Sequence, residues 1–85
     1  MSDLKAAFDA AVAATKTLEE RPDNQTLLSL YGLYKQATKG DASGTRPGFT
    51  DFVARAKYDA WASRQGISAD AAMQAYIDLF SKLKG

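Results

Sequence analysis

The chain has 85 residues, of which 46% are hydrophobic, and a formal net charge of +1 from 11 basic and 10 acidic residues. We expect one domain over residues 1–85 with a modest core, and the balanced charge argues against a general nucleic-acid binder. Cysteine and histidine are both absent, which excludes disulfides, thiolate metal sites and the usual general base.

The first two predicted helices are separated by a proline. The first begins after a serine N-cap at Ser2 and is ended by Pro22, because proline disfavours a helical conformation at the residue before it. Its apolar positions recur at helical spacing and are Leu4, Ala7, Phe8, Ala11, Val12, Thr15 and Leu18. The second helix begins after the N-cap Asp23 and ends at Gly40.

A long connection follows the second helix. The stretch "GDASGTRPGF", residues 40–49, exceeds the roughly 2–8 residues that are typical between helices of a bundle. It is either a functional loop or a spacer that crosses from one helix pair to another. A third helix is predicted from Thr50 or Asp51 to Gly66, and a fourth begins after the N-cap Ser68. No strand pattern competes, so the sequence predicts an all-α four-helix domain.

The second helix places polar groups among its leucines. At about 100° per residue, one arc of roughly 120° contains Leu27, Leu28, Tyr31, Tyr34, Lys35 and Thr38. Lys35 follows Tyr31 by four residues, which brings an ammonium group beside a phenol oxygen. This arc would suit a ligand with an apolar tail, a flat ring and an anion. Tyrosines on an apolar face are also common core residues, and a lysine at its edge is commonly solvated, so both interpretations stand.

Four motifs in a fixed order carry a resemblance: "LLSLYGLYKQATKGD", "TRPGF", "ARAKYDAW" and "AMQAYI". Their combination resembles the acyl-CoA-binding protein family, and the likeness extends from Phe8 to Lys84. The resemblance implies a four-helix up-down-down-up bundle with one long loop between the second and third helices. It also implies a cytoplasmic monomer that binds and transports medium- to long-chain fatty acyl-CoA without catalysis and without a cofactor. Transient contact with acyl-CoA-using enzymes or with membranes would accompany that role.

The resemblance also implies ligand-binding positions. A tyrosine and a lysine of the second helix and a lysine of the third would grip the 3′-phosphate of CoA, at Tyr31, Lys35 and Lys57. Further contacts with the CoA head, including the adenine site, would come from Lys16, Tyr34 and Tyr76. By position, the acyl chain would lie against Leu27, Leu28, Phe52, Val53 and Ala56. Two ammonium groups and a phenol suit a phosphate monoester, which carries up to two charges and accepts charge-assisted hydrogen bonds.

Several residues depart from the family pattern. Val53 stands where lysine is common, and Tyr58 replaces a usual tryptophan. Glu19 and Glu20 occupy a stretch that is often rich in lysine. We expect these differences to affect affinity and chain-length preference rather than the fold or the class of ligand.

Two other classes of function compete with the carrier. A protein-interaction module would use the same tyrosine and leucine surface to bind a partner helix. An acyltransferase or thioesterase is disfavoured, because no histidine or cysteine is available and no serine has a base at a recognisable spacing. No apolar run approaches the length of a membrane span, so we expect no stable membrane insertion. Charges throughout the N-terminal segment argue against a signal peptide and favour a cytoplasmic location.

Overall fold

The computed structural model describes residues 3–84 and contains four helices. These are α1 (Asp3–Thr15), α2 (Asn24–Lys39), α3 (Phe52–Ala62) and α4 (Ala69–Lys84). No strand occurs within the described residues, so the prediction of an all-α four-helix bundle is confirmed. The predicted N-cap at Ser2 lies outside the described residues.

Helix caps form where the sequence predicts them. The Asp23 carboxylate accepts a hydrogen bond from the Thr26 backbone N–H at 2.8 Å, and the Ser68 hydroxyl oxygen accepts one from the Ala71 N–H at 3.1 Å. Both bonds satisfy donors that a helix N-terminus leaves unpaired. Gly40 ends α2 with a φ of 85°, a conformation that side chains with a Cβ rarely adopt.

The first helix ends earlier than predicted, at Thr15 rather than near Pro22. The Thr15 hydroxyl donates to the Ala11 carbonyl at 2.7 Å, and the Thr17 hydroxyl donates to the Ala14 carbonyl at 2.9 Å. Threonine side chains that bond to the backbone in this way compete with continued helix. The chain therefore leaves the helix through turns whose backbone hydrogen bonds join residues three positions apart, before Pro22 is reached.

The third helix begins as predicted but also ends early. The Asp51 carboxylate accepts from the Ala54 N–H at 3.4 Å, and α3 ends at Ala62 instead of Gly66. The Ser63 hydroxyl donates to the Ala60 carbonyl at 2.8 Å. The same local competition therefore replaces the last predicted turn of α3 by irregular turns.

The buried core lies between α1, α2 and α4. Its members are Phe8, Ala11, Leu30, Leu33, Ala37, Ala72 and Tyr76. Helix α3 contributes no fully buried residue, so it packs on α2 outside this core. The face of α2 that enters the core carries Leu30 and Leu33, whereas the predicted arc around Tyr31 and Lys35 is only partly covered.

Helices α2 and α3 run in the same direction. Leu28 and Ala56 line the same cavities, and one turn later Gly32 lies against the Ala60 carbonyl. Sequence positions therefore rise together along the two helices. The 16 residues of α2 rise about 24 Å, so the chain must return along this length before α3 begins. Residues 40–51 make that crossing, which supports the spacer interpretation of the long loop.

Contacts of the other helices complete the topology. The Phe8 ring packs against Tyr76, and further along both helices Ala14 lines one cavity with Phe80 and Leu83, so α1 and α4 are also parallel. The Gln36 side chain reaches the Ile67 carbonyl just before α4. Because the later part of α2 meets the start of α4, these two helices are antiparallel. The order is up-down-down-up, as the family resemblance implied.

Gln36 anchors the start of the long loop. It is only 2% exposed, and its Nε2 donates to the Asp41 carboxylate at 2.9 Å and to the Ile67 carbonyl at 2.8 Å. Asp41 also accepts from the Gly66 backbone N–H at 2.9 Å. The bond from Gly66 and, second, the bond from Gln36 hold the pKa of the Asp41 carboxyl below its ordinary value. This network ties the end of α2 to the turn between α3 and α4.

The middle of the loop is attached to α3 through one ion pair. The Arg46 guanidinium donates from Nε and Nη2 to the two Asp59 carboxylate oxygens at 2.8 and 2.7 Å. This bidentate bond lowers the pKa of the Asp59 carboxyl and raises that of Arg46. Both side chains are about half exposed, so the pair orients the loop more than it stabilises the fold.

Candidate ligand-binding site

Two adjoining cavities form a cleft along the outer surface of α2. The α2–α3 groove, of about 400 Å³, is lined by Arg21, Asn24, Leu27, Leu28, Tyr31, Phe52, Val53, Ala56 and Lys57. The tyrosine cavity, of about 380 Å³, is lined by Val12, Thr15, Lys16, Leu27, Leu30, Tyr31, Tyr34 and Tyr76. Leu27 and Tyr31 belong to both, so these two side chains form the boundary at which one cavity passes into the other.

All five residues predicted to meet an acyl chain line the α2–α3 groove. Phe52 is 77% exposed and Val53 is 68% exposed, although both are large apolar side chains. Their position at the first turn of α3 leaves them facing the groove without a protein neighbour that covers them. Apolar surface of this kind gains free energy when a second apolar group covers it. The groove can therefore accept a hydrocarbon chain.

The tyrosine cavity contains four of the six residues predicted to contact the CoA head: Lys16, Tyr31, Tyr34 and Tyr76. Tyr76 is almost fully buried, its ring packs edge-on against Phe8, and its hydroxyl donates to Thr15 Oγ1 at 3.2 Å. Tyr34 stacks on Phe8 but remains 40% exposed. Tyr76 is therefore a core residue, whereas the ring of Tyr34 is open to a ligand.

Aromatic rings hold the two predicted phosphate-binding lysines. The Lys57 Nζ atom lies 5.6 Å from the centroid of the Tyr31 ring, and the Lys35 Nζ atom lies 4.7 Å from the centroid of the Trp61 ring. These are cation–π distances. Among residues 3–84, neither lysine forms an ion pair with a carboxylate. Both ammonium charges are therefore available to an anion.

The predicted cluster of Tyr31, Lys35 and Lys57 is only partly assembled in this structure. Tyr31 and Lys57 meet across the α2–α3 groove, whereas Lys35 lies on Trp61 and lines neither cavity. Trp61 is itself held by a hydrogen bond from its Nε1 to the Gly40 carbonyl at 2.7 Å. A contact between Lys35 and a ligand shared with Tyr31 requires its flexible side chain to leave the indole ring.

Two polar residues of the groove, Arg21 and Asn24, are absent from the predicted set. Asn24 lies four residues before Leu28 and thus on the same helix face, which is a signal that the spacing contains. Arg21 precedes Pro22 and lies outside any helix, so no periodicity marks it.

Metal-binding clusters and membrane-spanning helices are both absent from the part of the chain that the structure describes. Residues 3–84 contain no group of three or more acidic side chains arranged to hold a metal ion. None of the four helices combines the length and the apolar character that a bilayer span requires.

Comparison with known proteins identifies a family. The sequence profile described as "Acyl CoA binding protein" matches residues 5–80. The chain is 43% identical over 76 residues to acyl-CoA-binding protein homolog 1 of Caenorhabditis elegans, which covers 89% of this chain and 88% of that protein. It is 45% identical over 80 residues to the acyl-CoA-binding protein of Brassica napus, covering 94% and 87% respectively. The crystal structure of acyl-CoA-binding protein 2 of Oryza sativa superposes with a TM-score of 0.90 at 40% identity, covering 94% of this chain and 89% of that one.

Proposed function

Because the chain belongs to the acyl-CoA-binding protein family, we propose that it is a non-catalytic carrier of medium- to long-chain acyl-CoA esters. Residues 1–85 would act as one cytoplasmic, monomeric acyl-CoA-binding domain that needs no cofactor. The observation that supports this proposal best is the two-part cleft on α2. An open apolar groove adjoins a cavity rich in tyrosine, and Leu27 and Tyr31 form the boundary.

The tyrosine cavity, together with the boundary that it shares with the α2–α3 groove, suits the CoA nucleotide. The Lys57 ammonium group beside Tyr31 carries a positive charge that a phosphate can neutralise with charge-assisted hydrogen bonds. We assign the 3′-phosphate to Tyr31 and Lys57, with Lys35 joining them once its ammonium group leaves Trp61. The exposed part of the Tyr34 ring offers a surface on which adenine can stack. Lys16 also lines the tyrosine cavity and would add a third cation, while Tyr76 forms part of its wall.

The apolar half suits the acyl chain. Leu27 and Leu28 form one wall of the groove and Phe52, Val53 and Ala56 form the other. Each methylene group that is buried there is worth about 0.8 kcal/mol. The carrier would thereby keep a sparingly soluble chain away from water between its transient contacts with enzymes or membranes that supply or consume acyl-CoA.

One observation favours a second candidate, a module that binds a partner helix. Phe49 is 76% exposed, and Phe52 and Val53, three and four residues later, are 77% and 68% exposed, so the start of α3 presents exposed apolar side chains. The apolar face of an amphipathic helix could cover such side chains. The two candidates differ in what they need, since a carrier binds its ligand without any protein partner.

Calorimetric titration of the purified protein with hexadecanoyl-CoA tests the proposal. We expect one ligand per chain, weaker binding of CoA alone, and much weaker binding of hexadecanoate or hexadecanoylcarnitine, which lack the nucleotide. The variant Lys57→Gln should lose affinity, whereas Lys82→Gln, an exposed position on α4 that lines neither cavity, serves as the matched control. An absence of binding heat for hexadecanoyl-CoA over a range of temperatures would reject the carrier and leave the interaction module.

A further inference from the structure

Two lysines and two aromatic rings face each other in a crossed arrangement between α2 and α3. The Lys57 ammonium group of α3 lies 5.6 Å from the centroid of the Tyr31 ring of α2. One helical turn later the order is reversed, because Lys35 of α2 lies 4.7 Å from the centroid of the Trp61 ring of α3. Residues four apart share a helix face, so each helix presents one cation and one ring to the other. Each lysine is therefore held by a ring of the opposite helix.

The two cation–π pairs differ in their relation to the cleft. Lys57 lines the α2–α3 groove together with Tyr31, whereas Lys35 lines neither the groove nor the tyrosine cavity. Trp61 lines neither of them either. The indole ring therefore holds the Lys35 charge away from the place where a ligand phosphate would meet Tyr31 and Lys57.

The Trp61 ring is fixed, whereas the Lys35 side chain is free to move. The indole Nε1 donates to the Gly40 carbonyl at 2.7 Å, and the Tyr58 ring packs edge-on against the indole with centroids 6.1 Å apart. Lys35 has a flexible four-carbon stem, and no carboxylate in the described part of the chain forms an ion pair with it. An anion that attracts Lys35 therefore draws the ammonium group off the ring, while the ring stays in place.

We propose that Trp61 and the 3′-phosphate of the CoA ligand compete for the ammonium group of Lys35. The inference rests on the proposed carrier function, because the competing anion belongs to that ligand. In the free protein the indole ring is the partner of Lys35, and in the loaded protein the phosphate replaces it. Binding must break the Lys35–Trp61 contact, so Trp61 weakens the binding of ligands that carry the 3′-phosphate and not of those that lack it. Trp61 thereby favours release of the ligand, which a carrier has to deliver.

The chain contains a single tryptophan, so indole fluorescence reports on Trp61 alone. Indole emission responds to a charge beside the ring, and departure of the Lys35 ammonium group should shift the spectrum. Saturating hexadecanoyl-CoA should shift the emission of the wild-type protein beyond the shift produced by saturating hexadecanoyl-dephospho-CoA. In Lys35→Gln the two ligands should give the same spectrum. Identical spectra for the two ligands in the wild type would overturn the inference and leave the carrier function intact.

Calorimetry with the same two ligands tests the competition through their ratio of affinities. The substitution Trp61→Leu should raise the preference for the phosphorylated ligand about two- to fivefold, which corresponds to an exposed cation–π contact. Any effect of the substitution on the whole cleft cancels in this ratio. Phe80→Leu is the matched control, because it removes a ring 5.9 Å from the Lys84 ammonium group and lines neither cavity of the cleft. It should leave the ratio unchanged. An unchanged or lower ratio in Trp61→Leu would overturn the inference.

A Lys35→Gln background separates the proposed competition from other effects of Trp61. There, the further substitution Trp61→Leu should not change the ratio, and a rise would overturn the inference because another group would be responsible. If Trp61→Leu does not fold, Trp61→Phe keeps a ring that binds cations less well than indole, and the ratio should rise by a smaller factor. Failure of the wild-type protein to bind hexadecanoyl-CoA would instead reject the carrier function, and this inference with it.

Discussion

Gly32 in α2 lies directly against the backbone carbonyl of Ala60 in α3. A Cβ atom built on Gly32 would stand 2.4 Å from that carbonyl oxygen, which is far inside van der Waals contact. The lack of a side chain at Gly32 therefore allows the backbones of the two helices to come into contact. Helix α3 has no completely buried residue that would fix its position in the core. The width of the α2–α3 groove therefore depends on the contact between Gly32 and Ala60.

The substitution Gly32→Ala should destabilise the protein and weaken acyl-CoA binding. Alanine improves helix propensity by about 1 kcal/mol, but overpacking against a rigid backbone typically costs about 1–3 kcal/mol and would move α3 outward. We expect a net fall of several degrees in melting temperature, followed by circular dichroism. Gly48→Ala is the control, since a Cβ there meets nothing within 4 Å. Equal melting temperatures for Gly32→Ala and the wild type would contradict the close approach.

The substitution Tyr31→Phe should reduce affinity for acyl-CoA without loss of stability. The ring still separates the two cavities, and only the hydroxyl proposed to donate to phosphate is removed. A hydrogen bond to a charged group is worth roughly 1.5–3 kcal/mol. Tyr58→Phe is the matched control, because its hydroxyl donates to the Gly44 carbonyl at 3.3 Å outside the cleft. Normal binding combined with a lower melting temperature in Tyr31→Phe would show that the hydroxyl is structural.

The affinity lost when a lysine is replaced by alanine should depend on the 3′-phosphate of the ligand, and to a different extent for Lys35 and Lys57. Acyl-CoA and acyl-dephospho-CoA are titrated into the wild type, Lys57→Ala and Lys35→Ala. Removing one side of a desolvated charge pair typically costs about 2–5 kcal/mol, and two changes that delete the same contact are not additive. We expect a larger coupling free energy between the lysine and the 3′-phosphate for Lys57, which already lies beside Tyr31. The coupling free energy should be smaller for Lys35, which must leave Trp61. A lysine whose loss costs the two ligands equally does not contact the phosphate.

Affinity should rise with acyl-chain length and then level off. Each additional methylene group covered by the groove contributes about 0.8 kcal/mol to the binding free energy, until the chain covers all of the apolar lining. The measurement is a calorimetric series of saturated acyl-CoA esters of increasing length. Phe52→Ser should flatten the rise, because it removes the most exposed large apolar side chain of the groove. A flat series in the wild type would mean that the acyl chain lies elsewhere.

Asp41 should make the fold sensitive to acid. Hydrogen bonds from Gly66 and Gln36 lower its pKa in the folded state. The ionised carboxylate therefore stabilises the fold above the unfolded pKa of about 3.9, and this contribution disappears as the pH falls through the lower folded pKa. Asp41→Asn should be less stable than the wild type in urea at pH 7, and the difference should shrink in acid. A difference that is constant with pH would assign the effect to packing instead.

Local features of the sequence determined the helices and their caps. Asp23, Gly40 and Ser68 cap helices through hydrogen bonds to residues three or four positions away, so the local sequence is enough to predict these caps. The periodicity of α2 likewise predicted the partly covered arc that includes Tyr31 and Leu27. The ends of α1 and α3 were predicted too late, because proline and glycine were given more weight than nearby threonine and serine hydroxyls that bond to the backbone.

Tertiary structure decided how these segments meet. The bond from Gln36 to Ile67 spans 31 positions, and the pairing of Lys35 with Trp61 depends on parallel packing of α2 and α3. No local pattern contains either contact. The α2–α3 groove has the same origin, because it is the space left between two helices that are distant in sequence. Its width follows from the closeness of Gly32 to Ala60, which exists only once the chain has folded.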